Sequence, residues 1–178
     1  MGSLVFLALS AAGCTTIPDG ISPVGSFQAE RYLGTWYEIA RLDHRFERGL
    51  ESVSASYELN RDGTLAVTNR GFLAEGSVWK EAHGKARFVG GHDTAHLGVS
   101  FFGPFYGSYV VFDLDTANYQ YAFVCGPDRG YLWFLSRTKE VSPSLRDAFV
   151  RRTKALGFDT SSLIWVKQGN SQGSQFPI

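Results

Sequence analysis

His92 and His96 stand four residues apart. On a helix that spacing would bring two imidazoles to one face, where they could share a zinc ion. Here they follow the Gly90-Gly91 turn and lead into a strand-like run, with no Cys or Glu partner to complete a ligand set. They read as surface-turn residues, and no metal is expected. Gly103-Pro104-Phe105-Tyr106-Gly107 lacks the spacing of a phosphate loop and reads as a turn. No G-x-S-x-G elbow occurs, and the carboxylates form no recognisable acid–base pair. One thiol in the body of the chain, Cys125, is left as a nucleophile to weigh, and its activation would require exposure and a neighbouring cation. No catalytic residue and no cofactor are expected.

The elements around these residues are short and evenly spaced. Gly34–Leu42, Ser52–Leu59, Thr64–Gly71, Ser77–Val89, His96–Phe102, Ser108–Leu114, Tyr119–Gly126 and Tyr131–Thr138 are apolar-rich runs that read as strands. Turn signals divide them, among them Asn60-Arg61-Asp62-Gly63, Glu75-Gly76, Gly90-Gly91-His92-Asp93, Gly103-Pro104 and Gly126-Pro127-Asp128. Eight sequential strands with short connections predict an all-β fold, an eight-stranded up-and-down antiparallel β-barrel that leaves no free edge. The period changes at Ser142-Pro143, an N-cap followed by a first-turn proline. Leu145, Ala148, Phe149 and Leu156 then recur at helical spacing until Gly157. One C-terminal α-helix is therefore expected, with a short final strand over Ser162–Lys167 and a polar tail over 169–178. The chain of 178 residues carries 17 Lys+Arg against 17 Asp+Glu. Without an excess of cations to meet phosphates, no nucleic acid is expected as partner.

The N-terminus reads differently. Leu4 to Ala12 is an unbroken apolar and small-residue run, about 14 Å long as a helix, too short to span a membrane and suited to a signal peptide. Ala11-Ala12-Gly13-Cys14 resembles the lipobox of bacterial lipoproteins, in which cleavage precedes a Cys whose thiol receives diacylglycerol. Residues 1–13 are then a lipoprotein signal peptide, Cys14 is the lipidation site, and 14–27, with Pro18, Gly20, Pro23 and Gly25, reads as a tether. Thr15 in place of Asp after the Cys favours, by resemblance to enteric lipoproteins, sorting to the outer membrane. The alternative is an ordinary secretory signal cut near Ala12, leaving Cys14 a free thiol.

Gly34-Thr35-Trp36-Tyr37-Glu38 looks like the G-x-W signature that opens the first strand of lipocalins, and Leu135-Ser136-Arg137 matches their third signature. The stretches Tyr32 to Gly49, Ser100 to Gly107 and Cys125 to Arg137 resemble the outer-membrane lipoprotein branch of that family, related to apolipoprotein D. The resemblance covers roughly Phe27 to Lys167, and residues 28–168 are taken as the lipocalin domain. Asp115-Thr116-Ala117-Asn118-Tyr119-Gln120-Tyr121-Ala122 departs from the second signature, being longer and lacking its first Tyr, which concerns the turn between strands six and seven. The resemblance implies structural roles for Gly34, Trp36 and Arg137, the guanidinium stacking on the indole to close the narrow end of the barrel. It also implies that two copies can pair as a homodimer.

Alternation from Trp36 puts Glu38, Ala40 and Leu42 inward. The resemblance adds Ala55, Tyr57, Val67, Asn69, Ala86, Phe88, Val99, Phe101, Tyr109, Val111, Ala122, Val124, Tyr131 and Trp133. Small residues among these leave room for a cavity; a solid core, with alanines packed against long neighbours, is the alternative. An apolar cavity suits a long acyl chain, since fourteen buried methylenes gain roughly 11 kcal/mol gross against association costs of at least about 4 kcal/mol. The expected ligand is a fatty acid or lysophospholipid, with its head at a rim where His44, Arg45 and Arg48 could meet a carboxylate or phosphate; ordinary solvated charges are the alternative. Cys125 shares parity with Phe123 and Tyr121, outside the barrel and beneath the helix. Two further readings stand beside lipid carriage in the cell envelope: an isomerase using Cys125, and a scaffold with incidental lipid binding.

Overall fold

The computed structural model describes residues 15–169. A single helical turn, α1 (Ala29–Tyr32), leads into β1 (Gly34–Arg41). There follow β2 (Leu50–Leu59), β3 (Leu65–Leu73), β4 (Val78–Phe88), β5 (His96–Ser100), β6 (Gly107–Leu114), β7 (Tyr121–Cys125) and β8 (Leu132–Ser136), then α2 (Pro143–Ala155) and β9 (Ile164–Trp165). Each strand from β2 to β8 pairs antiparallel with the next, and β1 pairs with both β8 and β2. The sheet closes on itself as the alternating pattern predicts.

Two apolar layers result, one on each side of the wall. Tyr32, Trp36, Tyr57, Val67, Val111, Ala122 and Val124 belong to the interior cluster. Ile39, Phe112, Phe123, Cys125, Leu132 and Phe134 face the other way and are covered by Phe149 of α2 and by Phe158. Phe149 is fully buried, edge-on to Phe123 at 4.9 Å and stacked on Phe134 at 4.8 Å. The Ser142 side chain accepts from the Leu145 N–H and Pro143 occupies the first turn, so the helix begins where the sequence predicts.

Strict alternation fails in β1. The register shifts between Glu38 and Ala40, a bulge that adds one residue and reverses the parity beyond it. Ala40 and Leu42, expected inside, lie in the outer layer, and Arg41 turns inward to Glu38. Near this point β9 pairs with Ala40 and Arg41. Gln168 then donates to the carbonyls of Glu38 and Val53, tying β1 to β2 where their direct pairing has ended.

Residues 15–27, expected as a tether, are laid along the barrel. The Val24 N–H donates to the Val111 carbonyl at 2.9 Å, the Ala95 N–H to the Val24 carbonyl at 2.9 Å, and the Phe27 N–H to the Asp93 carbonyl at 2.8 Å. Ile21 and Phe27 are buried. The prolines and glycines bend the segment, while its apolar residues hold it to the wall. Between β6 and β7, Asp115 accepts from the N–H groups of Asn118 and Gln120. Tyr119, at φ 55°, is buried there, and its hydroxyl accepts from the Gln28 N–H. The longer sequence at this turn thus ends β6 and delays β7 to Tyr121.

Candidate functional site: a cavity open at one end

β1 carries Trp36 inward at the narrow end of the barrel, where its indole N–H donates to the Tyr32 carbonyl at 2.8 Å. Above it the hydroxyls of Tyr32, Tyr109 and Tyr57 form a chain, 2.7 Å from Tyr32 to Tyr109 and 2.9 Å from Tyr57 to Tyr109. Burial raises all three phenols, Tyr57 to about 12. The floor they form is neutral and hydrogen-bonded within itself.

From that floor a cavity of about 280 Å³ runs toward the opposite end. Its wall includes Val53, Ala55, Val67, Val99, Phe101, Trp133 and Leu135, with Phe46, Pro127 and Tyr131 on the loops beyond the strands. The volume sits near the lower end of the usual range for small-molecule pockets, roughly 300–1,000 Å³. One slender apolar group suits it better than a broad ring system. Polar atoms in the wall are few. The Asn69 Oδ1 is buried without a protein hydrogen-bond partner, so it is free to accept from an occupant.

The remaining polarity lies in one buried cluster. The Arg41 Nη1 donates to Glu38 at 2.7 Å, and its Nη2 donates to the carbonyls of Glu47 at 2.8 Å and Leu50 at 3.2 Å. Glu47 meets the His44 Nδ1 at 2.8 Å and accepts from the Trp133 indole at 3.0 Å. These contacts fold the β1–β2 loop over the cavity and bring both glutamates to its wall. Burial, and then the nearby Glu47 carboxylate, hold the Glu38 carboxyl well above its ordinary range against the opposing pull of Arg41.

Of the residues expected to line a cavity, Glu38, Ala55, Tyr57, Val67, Asn69, Val99, Phe101, Tyr109, Tyr131 and Trp133 surround this one. Phe88, Val111 and Val124 point inward but pack in the interior cluster without lining the space, and Ala40 is outside. Phe46, Glu47, Val53, Ser54, Gly107, Ser108, Pro127 and Leu135 complete the lining. Leu135 and Val53 follow from the parity of their neighbours. Glu47 could not be read so, because a loop fold delivers it.

The three expected rim cations separate. His44 is buried, stacked on Phe46 and Tyr131 and joined to Glu47. Arg48 is exposed and paired with Asp43, while Arg45 is exposed. None of the three lines the cavity; His44 lies behind its wall, against Phe46, Tyr131 and Trp133. Elsewhere, His96, expected on a surface turn, is buried in β5 and meets the Ser108 hydroxyl at 2.9 Å, while His92 lies against Phe88. Cys125 is buried beneath α2, its thiol pushed up to about 12 by desolvation. Cys14 and the leader before it lie outside the described residues.

A family model described as a lipocalin-like domain matches residues 27–168. Outer membrane lipoprotein Blc of Vibrio cholerae is 53% identical over 165 residues, covering 93% of this chain and 96% of its own. The protein of the same name from Escherichia coli is 52% identical over 161 residues, 90% of each chain. Among solved structures, insecticyanin from the tobacco hornworm Manduca sexta superposes with a TM-score of 0.69 at 18% identity, covering 87% of this chain and 88% of that one. At that identity the likeness concerns the fold.

Proposed function

The chain belongs to the lipocalin family, and on that premise we propose that its cavity takes up one long acyl chain, as a fatty acid or a lysophospholipid, without transforming it. As with the relatives named outer membrane lipoproteins, the chain is a lipid-binding lipoprotein of the outer membrane. We assign its anchor to Cys14.

The observation that carries the ligand reading is a narrow, apolar, blind-ended space whose floor hydroxyls bond one another and carry no charge. The tyrosine floor carries no charge to meet an ionised head, whereas a methylene chain loses only its water. Burial of the chain supplies the driving force, at about 0.8 kcal/mol per methylene. Glu47 in the upper wall opposes a buried carboxylate, so an anionic head remains outside, near Arg45 and Arg48.

The non-catalytic reading rests on Cys125, which faces the helix and is held as a protonated thiol. Attack on a bound ligand requires a thiolate within the cavity. Titration of the protein with palmitate and with a lysophospholipid, beside Ala55→Trp, tests the proposal. Ala55 lines the cavity, and an indole there fills it. Saturable binding by the wild type and its loss in a folded Ala55→Trp protein are expected. Undiminished binding by that variant would place the ligand elsewhere.

A further inference from the structure

Large apolar side chains are left in water mainly at one end of the barrel. Phe102 is 84% exposed, Phe105 72% and Phe46 64%, and Val78 and Trp79 are exposed beside them. They come from the β1–β2 and β5–β6 connections and from the first two residues of β4, whose spacing along the sequence gives no hint of a common surface. The barrel topology collects these connections at the cavity mouth, and Phe46 is itself part of the cavity wall. The turns of the opposite end are polar, built from 60–63, 90–94 and 115–118, with Leu59 the large exposed apolar residue there among those described. Exposed apolar clusters of this kind mark a surface meant for a partner.

The path of residues 15–27 bears on the partner. Thr15 lies over Gly98 and beside Tyr106 of the β5–β6 connection. The Thr16 hydroxyl donates to the Pro127 carbonyl at 3.3 Å, and Arg129 donates to the Asp19 carbonyl at 2.5 Å, so the first residues are fastened to the β7–β8 connection. From there the segment descends the wall to Phe27 at the closed end. Thr15, the residue after Cys14 in the sequence, therefore lies on the mouth side of the barrel. A lipid anchor on Cys14 would be one residue away from this fastened segment.

We propose that the open end is a membrane-docking surface, on which Phe46, Phe102, Phe105 and Trp79 enter the headgroup–acyl boundary of the bilayer and set the cavity mouth against it. Aromatic side chains favour that boundary. Trp79 suits it further through Arg70, whose guanidinium lies 4.2 Å over the indole and can reach headgroup phosphates from there. Charges on the connecting loops nearly offset one another, Arg45, Arg48 and Arg129 against Asp43, Glu47, Glu75 and Asp128. Contact therefore depends on apolar insertion and little on salt. An acyl chain then passes from bilayer to cavity without crossing water. The orientation rests on the lipidation reading of Cys14; the aromatic surface does not.

The full chain in vesicles of phosphatidylethanolamine and phosphatidylglycerol tests this with two single-site labels. Phe102→Cys marks the mouth and Arg61→Cys the closed end, and the native Cys125 is buried and does not compete for the reagent. A quencher carried on the acyl chains should remove most of the emission from position 102 and leave position 61 bright. Equal quenching at both positions, or none at either, would overturn the proposal. A second reading uses the paired change Phe102→Ser and Phe105→Ser, neither residue lining the cavity. Transfer of a fluorescent fatty acid from vesicles should slow several-fold while equilibrium binding from solution is retained. An unchanged transfer rate would also overturn it.

Discussion

The guanidinium of Arg137 lies 3.9 Å over the indole of Trp36 and binds the chain on every side of it. Its Nη1 donates to the Thr35 carbonyl and its Nη2 to those of Arg31 and Leu33, each at 2.8 Å. Gly34 lies between these residues at φ 87°, a conformation that a side chain would resist. One cation thus gathers α1, the start of β1 and the end of β8 at the closed end. Arg137→Ala removes a stacked cation and several charge-assisted bonds, and a loss of about 2–4 kcal/mol is expected. Arg137→Lys should recover little of it, since one ammonium cannot match the planar fork. Chemical denaturation measures the loss. Fatty-acid affinity of the folded variant should stay near wild type, because Arg137 does not touch the cavity.

Glu47 sits where a ligand carboxylate would repel it. Glu47→Gln keeps an acceptor for the Trp133 indole while removing the charge. Affinity for a fatty-acid anion should rise by about 1 kcal/mol, roughly fivefold, whereas a neutral monoacylglycerol should show little change. Calorimetry with the two ligands separates these outcomes; equal effects would place the ligand head away from the glutamates.

Glu38 links stability to pH. Its carboxyl is raised in the folded protein above the ordinary value of 4.5, so above that pH the native state retains a proton that the unfolded chain releases. Stability from this group therefore falls as pH climbs from about 4.5 and levels off once the raised native value is passed. Thermal unfolding of Glu38→Gln across that interval should show a flatter dependence than wild type. A dependence of the same slope would assign it to another group.

Cys125 should be silent toward thiol reagents in the native protein. Its thiol titrates at about 12 and is buried beneath α2, so at pH 8 modification should keep pace with unfolding and accelerate with denaturant. Rapid labelling without denaturant would restore the thiol as a candidate nucleophile.

Much of this architecture is legible in the sequence because turns and alternation are local. Turn signals such as Asn60-Arg61-Asp62-Gly63, Gly90-Gly91 and Gly126-Pro127 divide the strands, and Ser142-Pro143 opens the helix where the structure places it. Local signals could not show that a bulge after Glu38 reverses parity, which is why Ala40 exchanges sides with Arg41. They were equally silent on Glu47, carried to the cavity by the Arg41 and His44 contacts of its loop. Residues 15–27 illustrate a different limit. Pro18, Gly20, Pro23 and Gly25 suggested a linker, but Ile21 and Phe27 carried the stronger physical statement, and both are buried.

The central claim is that one acyl chain occupies the barrel. Native mass spectrometry of the protein released gently from its own envelope, followed by lipid extraction, measures the occupant directly. The expected result is a single-chain lipid bound one to a barrel in the wild type and missing from Ala55→Trp. A wild-type protein that emerges empty and then fails to take up added palmitate or lysophospholipid would contradict it.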